Sequence, residues 1–438
     1  MTASPLIFAA TSDIAGQTRG KGFPAAQRDK RLEKGIGWVP TNVQITCFDN
    51  IADSPFGSVG DLALIPDPET ETQVDLGDGA PVEHFMLGDI VSLEDGGPWA
   101  FCTRSILKAA LERLERAGGV RPFAAFEHEF QLKGGQGRPG EAFALQAFAA
   151  HRELGEMLMG ALEQAGIDTD TFLKEFGADQ FEVTNGPALG VTAADWAVKL
   201  REITRLVAKR QGEEATFTPI RDPEGVGNGV HLHLSFHDVT GQPVTYDPDH
   251  PQGMSEVTGQ FIAGVLKYLD SILAFTAPTA ISYLRLTPHR WSAAFNNLGY
   301  RDREASVRIC PVSATSSEAI AKQYNFEVRA LDAAASPYLA MAAILHAGAQ
   351  GIEDGLAMPK VSEGDLSLLS TPELAAQGYV RLPQSLDEAL KRLEGNATVC
   401  GWFDPDFVPV YLDHKRAELA HIKHLTEAER LALYEQVY

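Results

Sequence analysis

Acidic residues and histidines stand at alternate positions beside apolar ones in four separated stretches of this 438-residue chain: Phe126-Glu127-His128-Glu129-Phe130, Gln180-Phe181-Glu182-Val183, Val230-His231-Leu232-His233-Leu234-Ser235-Phe236 and Asn325-Phe326-Glu327-Val328-Arg329. In a strand, residues i and i+2 share a face. Glu127 therefore points with Glu129, His231 with His233 and Ser235, and Glu327 with Arg329, while the opposite faces carry Phe, Leu and Val. This is the pattern of strands lining a polar cavity. Inward carboxylates are costly without a partner, so several such strands imply a divalent cation site. Oxygen-rich ligation with one or two histidines suits Mg²⁺ or Mn²⁺ better than zinc. Arg285, Arg301, Arg303, Arg308 and Arg329 add what phosphoryl transfer needs, because metal and guanidinium together stabilise charge on the transferring oxygens. Metal plus arginines suggests ATP chemistry.

The elements that must position these residues begin after a sheet-rich opening. Up to about Trp99 the chain reads as short strands, among them 43–48 and 62–65, broken by Pro, Gly and Asp, with one helix near 25–34. Residues 105–116 (SILKAALERLER) are amphipathic at helical period and open a second, larger region. There the polar strands alternate with helices near 149–165, 193–211, 259–275 and 337–351, and the stretch from Ser385 reads as further helices. The cluster Gly134-Gly135-Gln136-Gly137-Arg138-Pro139-Gly140 lacks the GK[ST] of a phosphate loop and reads as a hairpin or surface loop. Trp99 and Trp402 read as packing residues.

Length suggests two or three domains, and 44% hydrophobic content suffices for globular folding. The net charge of −22 disfavours nonspecific nucleic-acid binding. Cys47, Cys102, Cys310 and Cys400 stand far apart with no CxxC pair, which argues against a disulfide framework or zinc knuckle and fits a reducing cytoplasm. The N-terminus has no basic region ahead of a long apolar run, so it reads as a first strand rather than a signal peptide or membrane span.

At these residues the chain resembles the glutamine synthetase family, nearly end to end. The family's E-x-E strand is similar to Glu127-His128-Glu129. Its E-x-G-x-x-Q-x-E segment resembles Glu175 to Glu182, and its G-N-G-x-H-x-H-x-S segment Gly227 to Ser235. The arginine block resembles Arg301-Asp302-Arg303-Glu304-Ala305-Ser306-Val307-Arg308, and E-x-R…NPYL resembles Glu327-Val328-Arg329 with Ser336-Pro337-Tyr338-Leu339. Ser12-Asp13-Ile14-Ala15-Gly16 with Arg19-Gly20-Lys21, the stretch Gly60-Asp61-Leu62 with Pro66-Asp67-Pro68, and a final helix from Glu427 to Tyr434 complete the series.

The resemblance implies an α+β fold: an N-terminal β-grasp domain over 1–104 and a glutamine synthetase-type catalytic domain of antiparallel sheet with helices over 105–438. It implies rings of subunits, commonly dodecamers, with active sites between neighbours. Glu129, Glu175 and Glu182 would hold one divalent ion, and Glu127, His231 and Glu327 a second. His233, Ser235, Lys322 and Arg308 match nucleotide-contacting positions. Arg285, Gly227 and Arg329 match those that grip glutamate, and Arg303 the arginine on the transferring phosphoryl group. Asp13 matches the acid that reaches from an adjacent subunit to deprotonate the amine. Within the arginine block, Arg301 reads mainly as a member of a salt-bridge network.

Two departures bear on the substrate. Ammonia-using members carry a loop glutamate six residues beyond the position of Arg285; here that residue is Trp291. An indole cannot supply the charge that collects ammonium, but it can cover the carbon part of a larger amine. This resembles the branch that joins glutamate to organic amines, including γ-glutamylpolyamine ligases. Val226 replaces the asparagine that ordinarily precedes the glycine matching Gly227. No adenylylation-site tyrosine motif is evident. The expectation is an ATP-dependent ligase forming γ-glutamyl amides. A true glutamine synthetase, a ligase for another acid and a noncatalytic sensing relative are the alternatives, the last disfavoured because all six metal-ligand candidates remain.

Overall fold

The computed structural model describes residues 4–135 and 137–438, so Gln136 of the glycine cluster lies outside the described residues. Strand Leu6–Ser12 alternates exposed Leu6 and Phe8 with buried Ile7 and Ala9, as a strand with one covered face must. It forms a hairpin with Thr18–Pro24 and runs parallel to Glu83–Ser92. Leu62–Pro66 and Ile36–Trp38 extend that sheet, and Thr72–Val74 also joins Glu83–Ser92, giving six strands. Ile7, Leu64, Met86, Ile90 and Trp38 form its core. The expected helix near 25–34 is present as a 3-10 turn leading into Arg28–Lys34.

The strand expected at 43–48 does not form. Pro40–Gln44 is a 3-10 helix, and Asp49 adopts a positive φ of 58°, which turns the chain so that Ile45 bridges Ile51. Proline at the first helical position and Asp-Asn at the turn outweigh the β-branched residues between them.

The second sheet has nine strands. Its main path runs Leu298–Tyr300, Val307–Ile309, Phe326–Val328, Val230–Asp238, Val120–Leu132, Gln180–Asn185 and Thr169–Lys174, with Ala188–Leu189 and Ala215–Thr216 added to Val120–Leu132. Pairing is antiparallel except between Leu298–Tyr300 and Val307–Ile309. Its apolar side rests on helices, with Phe236 and Phe326 at 5.0 and 5.8 Å from the Phe261 ring. The expected helices are Thr103–Gly118, Val191–Arg210, Glu256–Thr276 and Pro337–Glu353, while the one near 149–165 divides into Leu145–Ala150 and Arg152–Gln164. Glu256–Thr276 and Pro337–Glu353 cross at Gly264 and Gly351, where a Cβ on Gly264 would meet the Ala347 carbonyl at 2.2 Å. Only glycine permits that approach.

The two sheets are joined by charge. Arg104 donates to Asp67 (2.8 Å) and Asp89 (2.9 Å) of the first region and to Asp195 (2.9 Å) of the second. Arg201 ties the turn after the first strand to the larger region, donating to the carbonyls of Gly16 (2.5 Å) and Ala333 (2.6 Å). No helix of the described residues is long and apolar enough to cross a membrane.

Candidate active site

Sheet register brings the alternating polar residues together. His231 stands opposite Glu127, Glu129 opposite Glu182, and Glu327 opposite both His233 and Arg308. Opposed residues share a face, so side chains from five strands converge. They line one cavity of about 610 Å³ holding Glu127, Glu129, Glu175, Glu182, His231, His233, Glu327, Arg303, Arg308 and Arg329.

Within it, Glu127, Glu182 and His231 offer ligand atoms all within 4.8 Å of one another. That grouping crosses the division into two ion sites that the resemblance implies. His231 Nδ1 lies 3.4 Å from Glu127, and His233 Nε2 lies 3.1 Å from Glu127 and 2.8 Å from Glu327. Glu327 also accepts from Arg308 (2.7 Å) and Arg329 (2.6 Å). Glu129 accepts from the Gly229 N–H (2.7 Å) and from Gln180 (3.3 Å). A Cβ on Gly229 would lie 3.2 Å from both His231 Nε2 and the Arg285 guanidinium, so a side chain there would crowd both.

The electrostatics divide the carboxylates. Burial pushes Glu182 up to about 9, with Glu127, Glu129 and Glu175 adding to it. Burial also raises Glu129 to about 7, against the Gly229 N–H, and Glu175 rises for the same first reason. Glu127 and Glu327 are held low: His233 and His231 overcome the burial of Glu127, and His233, His231 and Arg329 that of Glu327. Burial, helped by Arg329, lowers His231 to about 4 and so leaves it neutral and able to ligate. Carboxylates crowded this closely are a fitting seat for divalent ions. The Nε atoms of Arg308 and Arg329, both on the cavity wall, are buried with no hydrogen-bond partner among the described residues, which leaves donors for an anionic ligand.

Aromatic side chains rim the cavity. Trp291 and Phe176 meet edge to face with centroids 5.3 Å apart, and they remain 51% and 55% exposed. Phe143, 63% exposed, lies on the cavity wall with Leu173.

The family description "Glutamine synthetase, catalytic domain" matches residues 100–434, and "Glutamine synthetase N-terminal domain" matches residues 2–99. The chain belongs to the glutamine synthetase family. Among relatives of this family, it is 32% identical to the gamma-glutamylpolyamine synthetase GlnA3 of Streptomyces coelicolor, over 97% of this chain and 92% of that one. It is 30% identical to the glutamine synthetase of Pyrococcus woesei, over 88% and 84%. A solved structure described as a novel glutamine synthase homolog superposes with a TM-score of 0.91 at 43% identity, covering 100% of this chain and 99% of the other. A GmaS/ADP complex superposes at 0.81 with 25% identity, covering 98% and 96%. As a member of the family the chain is an ATP-dependent ligase.

The remaining residues expected from the glutamine synthetase resemblance lie outside the cavity lining. Arg285 and Gly227 sit behind Glu129: Arg285 is buried and donates to the Leu331 carbonyl, while a Cβ on Gly227 would meet its methylenes at 2.7 Å. Ser235 lies further along its strand, opposite Phe123. Lys322 is exposed and pairs with Glu318 one helical turn away at 2.8 Å. Asp13 is in the first region, where its carboxylate accepts from the N–H groups of Ala15 (2.9 Å) and Gln17 (2.8 Å) and from Arg19 (2.7 Å). Burial outweighs Arg19 and raises its pKa. Arg301 corrects an expectation: it is exposed over the Tyr300 ring at 5.0 Å, and among the described residues it makes no ion pair. Phe143 and Phe176 carry no sequence signal, because an aromatic in a loop has no period, and Leu173 reads as one more apolar residue of strand Thr169–Lys174.

Proposed function

We propose that this ligase joins the γ-carboxylate of glutamate to an organic amine through a γ-glutamyl phosphate. Glu129, Glu175 and Glu182 would hold one Mg²⁺ or Mn²⁺ and Glu127, His231 and Glu327 another. Such ions, when bound, neutralise charge on the ATP phosphates and the transferring group. His233 and Arg308 face the nucleotide, and Arg329, Arg285 and Gly227 orient glutamate. A γ-carboxylate oxygen attacks the terminal phosphorus, ADP departs, and Arg303 takes up charge on the phosphoryl oxygens. The amine nitrogen then attacks the activated carbonyl, phosphate leaves, and the amine proton passes to Asp13 of an adjacent subunit. Activation replaces a poor leaving group with phosphate.

The observation that carries the choice of amine is Trp291. It brings an indole, with Phe176 against its edge, to the wall of an acidic cavity. Carboxylates attract the ammonium form, and the aromatic faces favour an amine that has carbon to bury. Purified protein with ATP, Mg²⁺ and glutamate would be given ammonia, alkylamines, ethanolamine, arylamines and polyamines, with phosphate release and amide mass as readouts. An organic amine is expected to exceed ammonia in kcat/KM by roughly ten- to a hundredfold, the scale of one charge-assisted hydrogen bond that ammonium would need. The names of the archaeal relatives favour a second reading, a glutamine synthetase. Preference for ammonia in the same panel would establish that reading instead.

A further inference from the structure

We propose that Glu304 is the positioning residue that sets the amine preference, by holding the loop of Trp291 against the cavity; this rests on the organic-amine reading. Between helix Ser282–Arg285 and strand Leu298–Tyr300 the chain has no regular element to hold it. Within that segment His289 and Trp291 both adopt positive φ, 62° and 51°. Residues with side chains avoid that region, so the loop's shape must be imposed from outside.

Glu304 supplies the constraint. One of its carboxylate oxygens accepts the His289 N–H (2.9 Å) and the other accepts the Trp291 N–H (2.6 Å). Its own N–H donates to Asp302 (2.9 Å), which fixes the carboxylate's origin. The Trp291 carbonyl accepts from Arg329 (2.9 Å), whose other nitrogen grips Glu327. Both polar groups of the Trp291 backbone are thus held, one by the catalytic cavity and the other by Glu304. The loop is a partition. Trp291 lines the catalytic cavity, while Pro288, His289 and Phe295 line a separate cavity of about 470 Å³ with Asp302, Glu304 and Asp365. Without the Glu304 carboxylate the loop has space behind it, and the indole loses its fixed place beside Phe176.

Two oxygens taking two N–H groups make the role specific to a carboxylate. A glutamine can match one N–H but turns its own amide donor toward the other. The test compares the full-length wild type with E304A and E304Q, each with and without W291F, so that Trp291 fluorescence is read by difference. Acrylamide quenching of that signal, without substrates, is expected to rise clearly in both variants. KM for the best organic amine should rise roughly tenfold in both, while KM for ATP and glutamate stays within about twofold. Circular dichroism confirms folding. Wild-type quenching in E304A would overturn the proposal. So would wild-type behaviour in E304Q, since side-chain size alone would then suffice, or an equal rise in all three KM values. A wild type that prefers ammonia would remove the organic-amine reading while leaving the quenching comparison to decide whether Glu304 holds the loop.

Discussion

The junction around Arg104 and the Glu129–Glu182 side of the acidic cavity both gather partly or fully buried carboxylates, yet they resolve the charge in opposite ways. At the junction one guanidinium meets Asp67, Asp89 and Asp195, and the Tyr338 hydroxyl donates to Asp195 at 2.6 Å. Arg104 overcomes the burial of Asp67 and lowers its pKa. In the cavity burial, reinforced by neighbouring carboxylates, pushes Glu182 to about 9, and burial with Glu175 adding to it pushes Glu129 to about 7. Buried carboxylates satisfied by the chain's own cations hold structure. Those left to one another demand an external cation, and this separates a structural cluster from a site.

Breaking the junction should have the largest effect. Arg104→Ala removes a guanidinium shared by three acids, of which Asp89 keeps Lys108 (2.6 Å) and Asp195 keeps the Tyr338 hydroxyl, and is expected to lower stability by about 3–5 kcal/mol, read as a shift in urea midpoint. A loss under about 1 kcal/mol would show that water serves those acids as well as Arg104 does. The cavity should answer differently to the same kind of change. Glu129→Ala or Glu327→Ala is expected to reduce amide formation by roughly a hundred- to a thousandfold, the scale for removing one preorganised charged group, with assembly preserved in sedimentation. Near-normal turnover in either would end the metal assignment.

Trp291→Glu sharpens the contrast by adding a carboxylate. Relative kcat/KM should move toward ammonia by roughly ten- to a hundredfold, about 1.5–3 kcal/mol; an unchanged ratio would mean that the indole does not select the amine.

The pH dependence follows from Glu182 and Glu129. Both pKa values are raised on folding from 4.5, so between about pH 4.5 and about pH 9 the metal-free folded state holds more protons than the unfolded chain. The stability these groups contribute is complete below 4.5 and is lost as pH rises through about 7 and about 9. Mg²⁺ must displace those protons and should bind at least ~10-fold more tightly near pH 8.5 than near pH 6, worth roughly 1.4 kcal/mol of added stabilisation. Thermal shifts with and without Mg²⁺ at the two pH values would check this, and a pH-independent shift would contradict it. The smallest signal tests Asp13. If the chain assembles and neighbours share sites, about a quarter of sites in an equal mixture of Asp13→Ala and Glu327→Ala subunits would carry both intact residues. No recovered activity in verified mixed assemblies would place the base within one subunit.

Much of this was legible from residue types. Alternation marked Glu127, Glu129, His231, His233 and Glu327 as inward-facing, because a strand's two-residue period survives in sequence whatever its partner is. Helical periodicity likewise located the helices behind the sheet. The strand expected at 43–48 failed because Pro40 and the Asp49 turn act locally against a β-branched run. Ser235 shares a face with His233 but lies beyond the cavity, since a shared face does not say how far along a strand a cavity extends. Lys322 proved to be an exposed helix residue paired with Glu318.

By itself, then, the sequence determined the composition of the site: carboxylates, histidines and arginines on strand faces, and an indole at position 291. Tertiary structure alone decided which of them meet. Register set Glu129 across from Glu182 and Glu327 across from His233 and Arg308, and backbone contacts from Glu304 and Arg329 placed Trp291. The reason is one of range: face and period are properties of a few consecutive bonds, whereas pairing depends on hydrogen bonds and burial between segments about 20 to 100 residues apart, which no local pattern encodes.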